Sequence, residues 1–473
     1  MFRSLLRRFV QAFLLLGVIS LLGFGLSKLV PGDEILDYLS IDDPRYSSAA
    51  NPLEQRKAYA AVASKRGLDK PLFYFSVRPG YFPDSLFHII PESDRVSLTN
   101  WIRRSKQKDA ALKLYRDLTH GLTRSCPGGE FSNNSNILCE GISEMLQQED
   151  LFALQHAYLR LKNEIAEDSI LSEKYSAFLA TCRSDLDAMT SADKNLSAKE
   201  WLPAFSWYGT DNQYHQWITG LVSFQPLTSL IDGRNAWKKI GEALKWTLML
   251  NGWAFILAIA IGMIIGIWAG TNDGRKLEKL INIFLFALFA LPSFWLATLM
   301  IYFLSSGEWL SVFPSGGLGP YRDATNIFQR WGILFTHLTL PVLCLALGAL
   351  AYVSRQMKQS VQHQWIQPYV FSLRSQGVSE KTILRKHVLK NALFPMITLI
   401  GGSLPALLSG SLIVEVIFSI PGMGRLLFSS LMARDWPVVF PILMMVATIT
   451  VLSYIITDVV YKWADPRVKT LGS

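Results

Sequence analysis

The stretch YVFSLRSQGVSEKTILRKHVLKNALFP, residues 369–395, is polar and basic and lies between two long apolar runs. The runs, 331–353 and 396–418, are each long enough to cross the roughly 30 Å of hydrocarbon in a bilayer as a helix. We therefore expect the segment between them to lie in water. Gly377 is suited to end one short helix, and Ser379 to cap a second whose apolar residues recur at helical spacing. The pattern predicts two short helices at a membrane surface.

Composition and charge place the chain among integral membrane proteins. Half of its 473 residues are hydrophobic and only 18% are charged. The net charge of +9 is uneven, because acids slightly outnumber bases over 31–245, whereas bases cluster at both termini and over 355–390. With about six spans these clusters fall on one side of the membrane, as the positive-inside rule requires. The charge therefore reflects topology and predicts no nucleic-acid partner.

The first apolar run, residues 9–30, follows Arg3, Arg7 and Arg8. It is long enough to span a bilayer and has no small-residue cleavage site after it, so an uncleaved first helix is favoured over a signal peptide. Residues 1–33 then form the tail and first helix, with the N-terminus in the cytoplasm. Residues 34–245 follow on the outside, are too long for a connecting loop, and have the size of a folded domain.

Much of this outer region is predicted to be helical. Apolar residues at helical spacing indicate helices over 98–118, around 151–165 and over 172–189. Cys126 and Cys139 flank a turn rich in Gly, Asn and Ser. In an oxidising periplasm they are expected to form a disulfide worth about 3 kcal/mol, the alternative being two unpaired thiols.

The remaining chain, 246–473, is predicted to contain five further spans and a cytoplasmic loop over 355–395. One of these spans, 280–304, carries Pro292, which is expected to bend the helix. The later run from 396 is rich in small residues, which permit close helix packing or leave room for a solute.

Several motifs resemble one known family. The glycine at 377, the short basic helix and the sequence HVLKNALFP resemble the loop by which permeases of ABC importers dock on the nucleotide-hydrolysing subunit, in the oligopeptide and dipeptide branch particularly. Where the wider family has Glu-Ala-Ala, this chain has Phe371, Ser372 and Leu373. Further family-like stretches are residues 5–33, 66–72, 207–220, 291–296, 337–341, 413–427, 434–438 and 465–467. Residues 75–205 have no counterpart in the family pattern and are interpreted as an insertion.

The resemblance implies a fold and a set of functional residues. The expected fold is an all-α integral membrane protein with the type I importer permease fold and a mostly helical periplasmic domain inserted after the first helix. The implied residues that couple the chain to the ATPase are Arg374, Gly377, Ser379, Glu380, Arg385, His387, Asn391 and Pro395.

In this class the fifth helix lines the translocation path, which makes Ser403, Ser409, Ser411 and Glu415 candidates for it. A carboxylate in mid-bilayer costs about 2.5 to 3.5 kcal/mol, so Glu415 should face a cavity or a partner. Pairing with an arginine, 425 or 434, is favoured over contact with substrate.

No catalytic or metal-binding pattern appears in the sequence. It contains neither GxxxxGK[ST], HExxH nor GxSxG, so the chain is predicted not to be an enzyme and to bind no cofactor or metal itself. ATP and Mg²⁺ are expected on partner subunits.

The resulting hypothesis is a permease subunit of the bacterial inner membrane that takes up peptides or peptide-like solutes. The resemblance implies two ATPase subunits, a second related permease, in a heterodimer rather than a homodimer, a periplasmic solute-binding protein and surrounding lipid. Both termini would be cytoplasmic and residues 31–245 periplasmic. The alternatives are an ABC-family mechanical transmitter, whose outer domain acts on envelope partners without solute import, and a membrane-anchored envelope enzyme.

Overall fold

The computed structural model describes residues 2–30, 32–33, 35–36, 39, 52–125, 133–190, 202–305 and 309–464. The chain divides into two compact units. One comprises 1–27 together with 226–473, and the other comprises 28–225. Both units are mainly helical, and helices are numbered below in chain order from α1, Phe2–Ser27.

The unit 28–225 is a helical body with one small sheet. Its helices are α2 Pro52–Arg66, α3 Glu92–Ser105, α4 Lys108–Ser125, α5 Asn133–Gln147, α6 Leu151–Ala166, α7 Ser169–Thr190 and α8 Gln213–Val222, with a 3₁₀ turn at Leu86–His88. The core lies among α3 to α7, where Trp101 is fully buried and its indole N–H donates to the Gln148 carbonyl at 2.7 Å.

Two details of this unit differ from the expectation. The helix predicted over 98–118 is two helices, because Lys106 adopts a left-handed conformation (φ 57°) and its N–H closes α3 on the Ile102 carbonyl. Helix α5 occupies residues that we expected to form a turn. Cys139 is buried within α5, whereas Cys126 lies outside the described residues, so their bridge stays a prediction.

The sheet is a two-stranded antiparallel ribbon of β1, Phe75–Pro79, and β2, Pro203–Trp207. Its register pairs Phe75 with Trp207 and Pro79 with Pro203. The helices α3 to α7 lie between the two strands in the sequence, so the chain enters and leaves this helical body through the ribbon.

The other unit contains the long apolar helices. After α1 these are α9 Ala236–Thr271, α10 Lys276–Ala290, α11 Ser293–Leu304, α12 Ile327–Trp365, α13 Pro368–Ser375, α14 Glu380–Thr382, a π-helix Ile383–Val388, α15 Leu389–Ala392, α16 Phe394–Ser409, α17 Leu412–Ile417, α18 Met423–Met432 and α19 Trp436–Ala464. Five segments of the described chain are long and apolar enough to cross a membrane, or six if α10 and α11 count as one span. The predicted all-α membrane fold with about six spans is confirmed.

The span predicted over 280–304 is broken rather than gently bent. Helices α10 and α11 meet at 103°. Leu291 is extended (ψ 127°), as expected for a residue whose helical conformation is disfavoured by the proline that follows it. Pro292 occupies the N-cap position of α11, and its carbonyl accepts from the N–H groups of Trp295 and Leu296.

Helices α9 and α12 pack closely through small residues. A methyl group on Gly262, Gly266 or Gly270 of α9 would lie 2.6 to 2.9 Å from the side chains of Val353, Met357 and Val361 on α12. These glycines recur every four residues and so share one helix face, which lets the two helices approach.

Candidate functional site

The basic loop that follows α12 is an ordered helical hairpin. Helix α13 ends where Gly377 adopts φ 75°, with its N–H donating to the Arg374 carbonyl at 3.0 Å and the Val378 N–H to the Leu373 carbonyl at 3.1 Å. Glycine is favoured there because a side chain would strain a left-handed backbone. The predicted helix stop therefore has a defined geometry.

The second arm of the hairpin is helical from Glu380 to Ala392, with a π-helical stretch at its centre. Ser379 occupies the N-cap position, but its hydroxyl pairs with the Thr382 hydroxyl at 2.9 Å and caps no backbone N–H. A π-helical stretch is rare and often marks a functional segment.

The apolar underside of the hairpin packs on the end of α12. This helix has 39 residues, about 58 Å, and so extends well past its apolar part. The buried residues that join the hairpin to it are Met357, Val361, Val370, Ile383, Val388, Ala392 and Met396. A hydrogen bond from Ser360 to the Ala392 carbonyl at 2.6 Å adds to this contact. The hairpin is thus attached firmly to a spanning helix.

Arg374 and Glu380 come together across the hairpin turn. The guanidinium donates to both carboxylate oxygens of Glu380, at 2.8 and 3.2 Å, and lies 5.4 Å from the ring centroid of Trp365. This bidentate pair links the two arms.

The outer face of the second arm is strongly basic. Its exposed cations are Lys381, Arg385, Lys386 and Lys390. None of the four forms an ion pair within the part of the chain that the structure describes, so their charge is available to a partner. His387 is half-buried between them.

Asn391 and Pro395 do not join this outer face. They line a cavity of about 720 Å³ with polar residues of α12 that include Gln356, Gln359 and His363. A second cavity, about 470 Å³, shares Gln356 and Pro395 with the first. Its other lining residues are Tyr352, Thr398, Leu399, Gly402 and Ser403. Neither cavity is lined by Lys, Arg, Asp or Glu.

The four residues predicted for the path have different environments. Ser403 lines the smaller cavity, and its hydroxyl donates to the Leu399 carbonyl at 2.6 Å. Ser409 is a half-buried residue at the end of α16, and its hydroxyl donates to the Ala406 carbonyl at 3.4 Å. Ser411, half-buried at the N-cap of α17, and Glu415, buried within α17, instead belong to one hydrogen-bonded cluster.

Glu415 is fully buried and its carboxylate is surrounded by donors. One oxygen accepts from the Thr247 hydroxyl at 2.9 Å and the Ser411 N–H at 3.3 Å, and the other accepts from the Arg425 N–H at 2.9 Å. The Thr247 oxygen in turn accepts from the Met423 N–H at 2.7 Å. The N–H groups of Met423 and Arg425 belong to the first turn of α18, which favours an anion.

The expected partner of Glu415 was an arginine side chain, and the structure shows backbone amides and a hydroxyl instead. Neither Arg425 nor Arg434 forms an ion pair with Glu415 within the described chain. Gly422 makes the arrangement sterically feasible, since a methyl group there would lie 2.4 Å from the Glu415 carboxyl carbon.

Sequence reasoning missed Thr247 and the glutamines of α12. Thr247 lies in an apolar helix 168 residues from Glu415, and a lone threonine in a span carries no signal of its own. The glutamines had a detectable signal, because the end of α12 contains Gln356, Gln359, Gln362 and Gln364, and Gln367 follows it. Among the described residues, no group of three His, Cys, Asp or Glu is arranged to hold a metal ion.

Comparison with known proteins matches a family model to the second half of the chain and finds similar transport permeases. The model of the family described as binding-protein-dependent transport system inner membrane component matches residues 262–470. The oligopeptide transport system permease protein AppB of Bacillus subtilis (strain 168) is 33% identical over 258 residues, covering 54% of this chain and 80% of AppB. The inner membrane ABC transporter permease protein YejB of Escherichia coli O157:H7 is 30% identical over 274 residues, covering 56% of this chain and 74% of that protein. A peptidoglycan transport system permease protein YejB of Agrobacterium fabrum (strain C58 / ATCC 33970) is 33% identical over 229 residues, covering 48% of this chain and 63% of that protein.

Proposed function

The chain belongs to the family of binding-protein-dependent transport system inner membrane components, as a permease of the ABC peptide-transport type, and from this we propose that it imports peptides or peptide-like solutes. The solute would be delivered by a periplasmic binding protein. The names of its relatives mention oligopeptides and peptidoglycan, which are both peptide-containing cargoes.

The hairpin 369–395 is the proposed contact with the ATPase subunits. One observation carries this proposal: an exposed face of unpaired cations is fixed by an apolar underside to the end of a spanning helix. A displacement of the hairpin by the ATPase subunits would be transmitted to α12, because packed interiors deform little. Closure of the ATPase pair on ATP would thereby reorient the path, and ATP and Mg²⁺ would be bound by those subunits.

The adjoining cavities beside α12 and α16 are the proposed half of the path. Their lining of amides, hydroxyls and one histidine can hydrogen-bond to peptide groups without selecting for side-chain charge. A second permease would supply the other half, with a different sequence rather than a copy. In this arrangement both termini are cytoplasmic and 31–245 is periplasmic.

Gly377→Pro tests the docking role. Proline cannot adopt the φ of 75° found at Gly377, so the hairpin turn should be lost. We expect the tagged wild-type chain, extracted in mild detergent, to co-purify a P-loop ATPase, a sister permease and a solute-binding protein, and the variant to lose the ATPase.

Gly274→Pro is the matched control, because Gly274 is also an open turn glycine with positive φ (82°), outside the hairpin. Equal loss of the ATPase in both variants would contradict docking at the hairpin. Recovery of envelope proteins without a binding protein would favour the mechanical transmitter instead.

A further inference from the structure

The two-stranded ribbon presents its apolar face outward. Residues directly opposed in an antiparallel pair project to the same side, and every second pair shares that side. The outward residues form the pairs Phe75 with Trp207, Val77 with Phe205, and Pro79 with Pro203. All six are exposed, and the four largest are 50 to 65% accessible to solvent. No charged or polar side chain interrupts this face.

The polar residues of β1 project to the opposite side, toward the body of the unit. The Ser76 hydroxyl lies 2.9 Å from the Tyr208 hydroxyl. Arg78 donates to the Pro83 carbonyl at 2.8 Å and also to the Tyr208 hydroxyl. The orientation of the ribbon is therefore fixed by hydrogen bonds, and its apolar side is kept away from the core.

The outward face is also preorganised. The rings of Phe75 and Phe205 stack with centroids 5.5 Å apart, and Tyr74 stacks on Trp207 at 6.3 Å. The indole N–H of Trp207 has no acceptor among the described residues. A rigid aromatic surface with one unused donor matches the boundary between lipid headgroups and acyl chains, where Trp is enriched.

We propose that this apolar face, Phe75, Val77, Pro79, Pro203, Phe205 and Trp207, rests in the interfacial region of the lipid bilayer. The ribbon is five residues long, about 17 Å, and the accessible surface of its six outward side chains is on the order of 500 Å², below the roughly 800 Å² per partner of a stable protein interface. Interfacial lipid requires no minimum area, because removing each large apolar side chain from water is favourable by itself.

Covalent connection favours the same occupant. The unit 28–225 continues at one end from α1 and leads at the other, through residues 226–235, into α9, and both helices are apolar enough to span a membrane. A bilayer is therefore always near the unit, whereas a soluble partner must be recruited. Since the face carries no charge, the contact should not depend on the charge of the headgroups.

A depth measurement tests this proposal independently of transport. A nitroxide is attached at Val77→Cys in the full chain, reconstituted in nanodiscs of phosphatidylethanolamine and phosphatidylglycerol. Collisions with oxygen, which concentrates in lipid, are compared with collisions with a water-soluble nickel chelate. We expect an oxygen-to-nickel ratio several-fold higher than at Phe152→Cys, an equally exposed apolar site on α6. The unsubstituted chain gives the background from native cysteines.

Transfer of both labelled proteins from nanodiscs to amphipol, which removes the bilayer, should abolish the difference. Equal ratios at the two positions in nanodiscs would overturn the proposal. So would a label at 77 that is shielded from both reagents only when the binding protein or the sister permease is added, because the face would then be a protein interface.

Discussion

Glu415 shows how a single buried charge can organise a segment of this membrane protein. Its carboxylate receives donors from Thr247 of α9 and from both sides of the junction between α17 and α18. Asp435 has a similar role at the other end of α18, where it is fully buried and accepts from the Ser229 hydroxyl at 2.5 Å and the Leu230 N–H at 2.9 Å. Through these two carboxylates, α18 is held to α9 and to the loop that precedes α9.

Glu415→Gln tests this role with almost no change in shape. In either orientation the new amide group places its NH₂ against the N–H of Arg425 or of Ser411, so one donor loses its acceptor. We expect a loss of about 1 to 3 kcal/mol in the stability of the α17–α18 segment, visible as faster amide exchange there. Glu242→Gln, an exposed position on α9, serves as control. Unchanged exchange in the Glu415 variant would show that the cluster is not stabilising.

A pair of carboxyl groups in the helical unit 28–225 should make the stability of this unit depend on pH. Burial and the adjacent Asp185 raise the pKa of Asp117, and burial raises the pKa of the neighbouring Cys182 thiol to about 12. Lys113 contacts Asp185 at 2.7 Å, but one oxygen of each carboxyl is buried without a donor. A proton shared between the two carboxyl groups would supply the missing hydrogen-bond donor.

The direction of the pH effect follows from the raised pKa of Asp117. An acid whose pKa is raised in the folded state contributes to the free energy of unfolding. This contribution is complete below about pH 4 and is lost as the pH rises through the folded pKa. Asp117→Asn should remove this loss and slow amide exchange of α4 and α7 severalfold at neutral pH. Asp84→Asn, at an exposed turn, should leave the exchange unchanged. Faster exchange in the Asp117 variant would contradict the shared proton.

At the scale of elements, sequence patterns located the spans and the hairpin better than the breaks within them. The apolar runs and the helix end at Gly377 were predictable, because they depend on the length and apolarity of one segment and on the backbone freedom of one glycine. The 103° angle at Pro292 and the left-handed Lys106 were not predicted, because a residue before proline or at a helix end can adopt several conformations that tertiary packing selects. The cluster at Glu415 joins residues far apart in sequence, and only the fold brings them together.

The uncharged lining of the cavities leads to a prediction about selectivity. Gln356→Glu places a negative charge where the two cavities adjoin. Uptake of acidic peptides by the reconstituted complex should fall relative to basic ones, because like charges repel strongly in a confined site. Gln147→Glu, exposed on α5, is the matched control. An equal reduction for peptides of both charges would indicate a general structural defect and argue against these cavities as the path.

At the scale of the whole molecule, a peptide-type permease carries a second compact unit, residues 28–225, in which helices α3 to α7 lie between the two strands of a short ribbon. The relatives align with only about half of this chain, although they are covered over most of their own length. Family resemblance therefore predicts the membrane part, whereas the role of the unit 28–225 follows from its own surface. The exposed ribbon face suggests that this unit is positioned by lipid as well as by its two chain connections.

The most direct test of the central claim is peptide uptake into proteoliposomes that contain the chain with its sister permease and ATPase subunits. Radiolabelled peptide and the binding protein are placed on the outer side and ATP on the side of the ATPases. We predict accumulation that requires both ATP and the binding protein and is abolished by Gly377→Pro. ATP hydrolysis that does not respond to the loaded binding protein, with no accumulation of any peptide, would contradict the assignment as an importer.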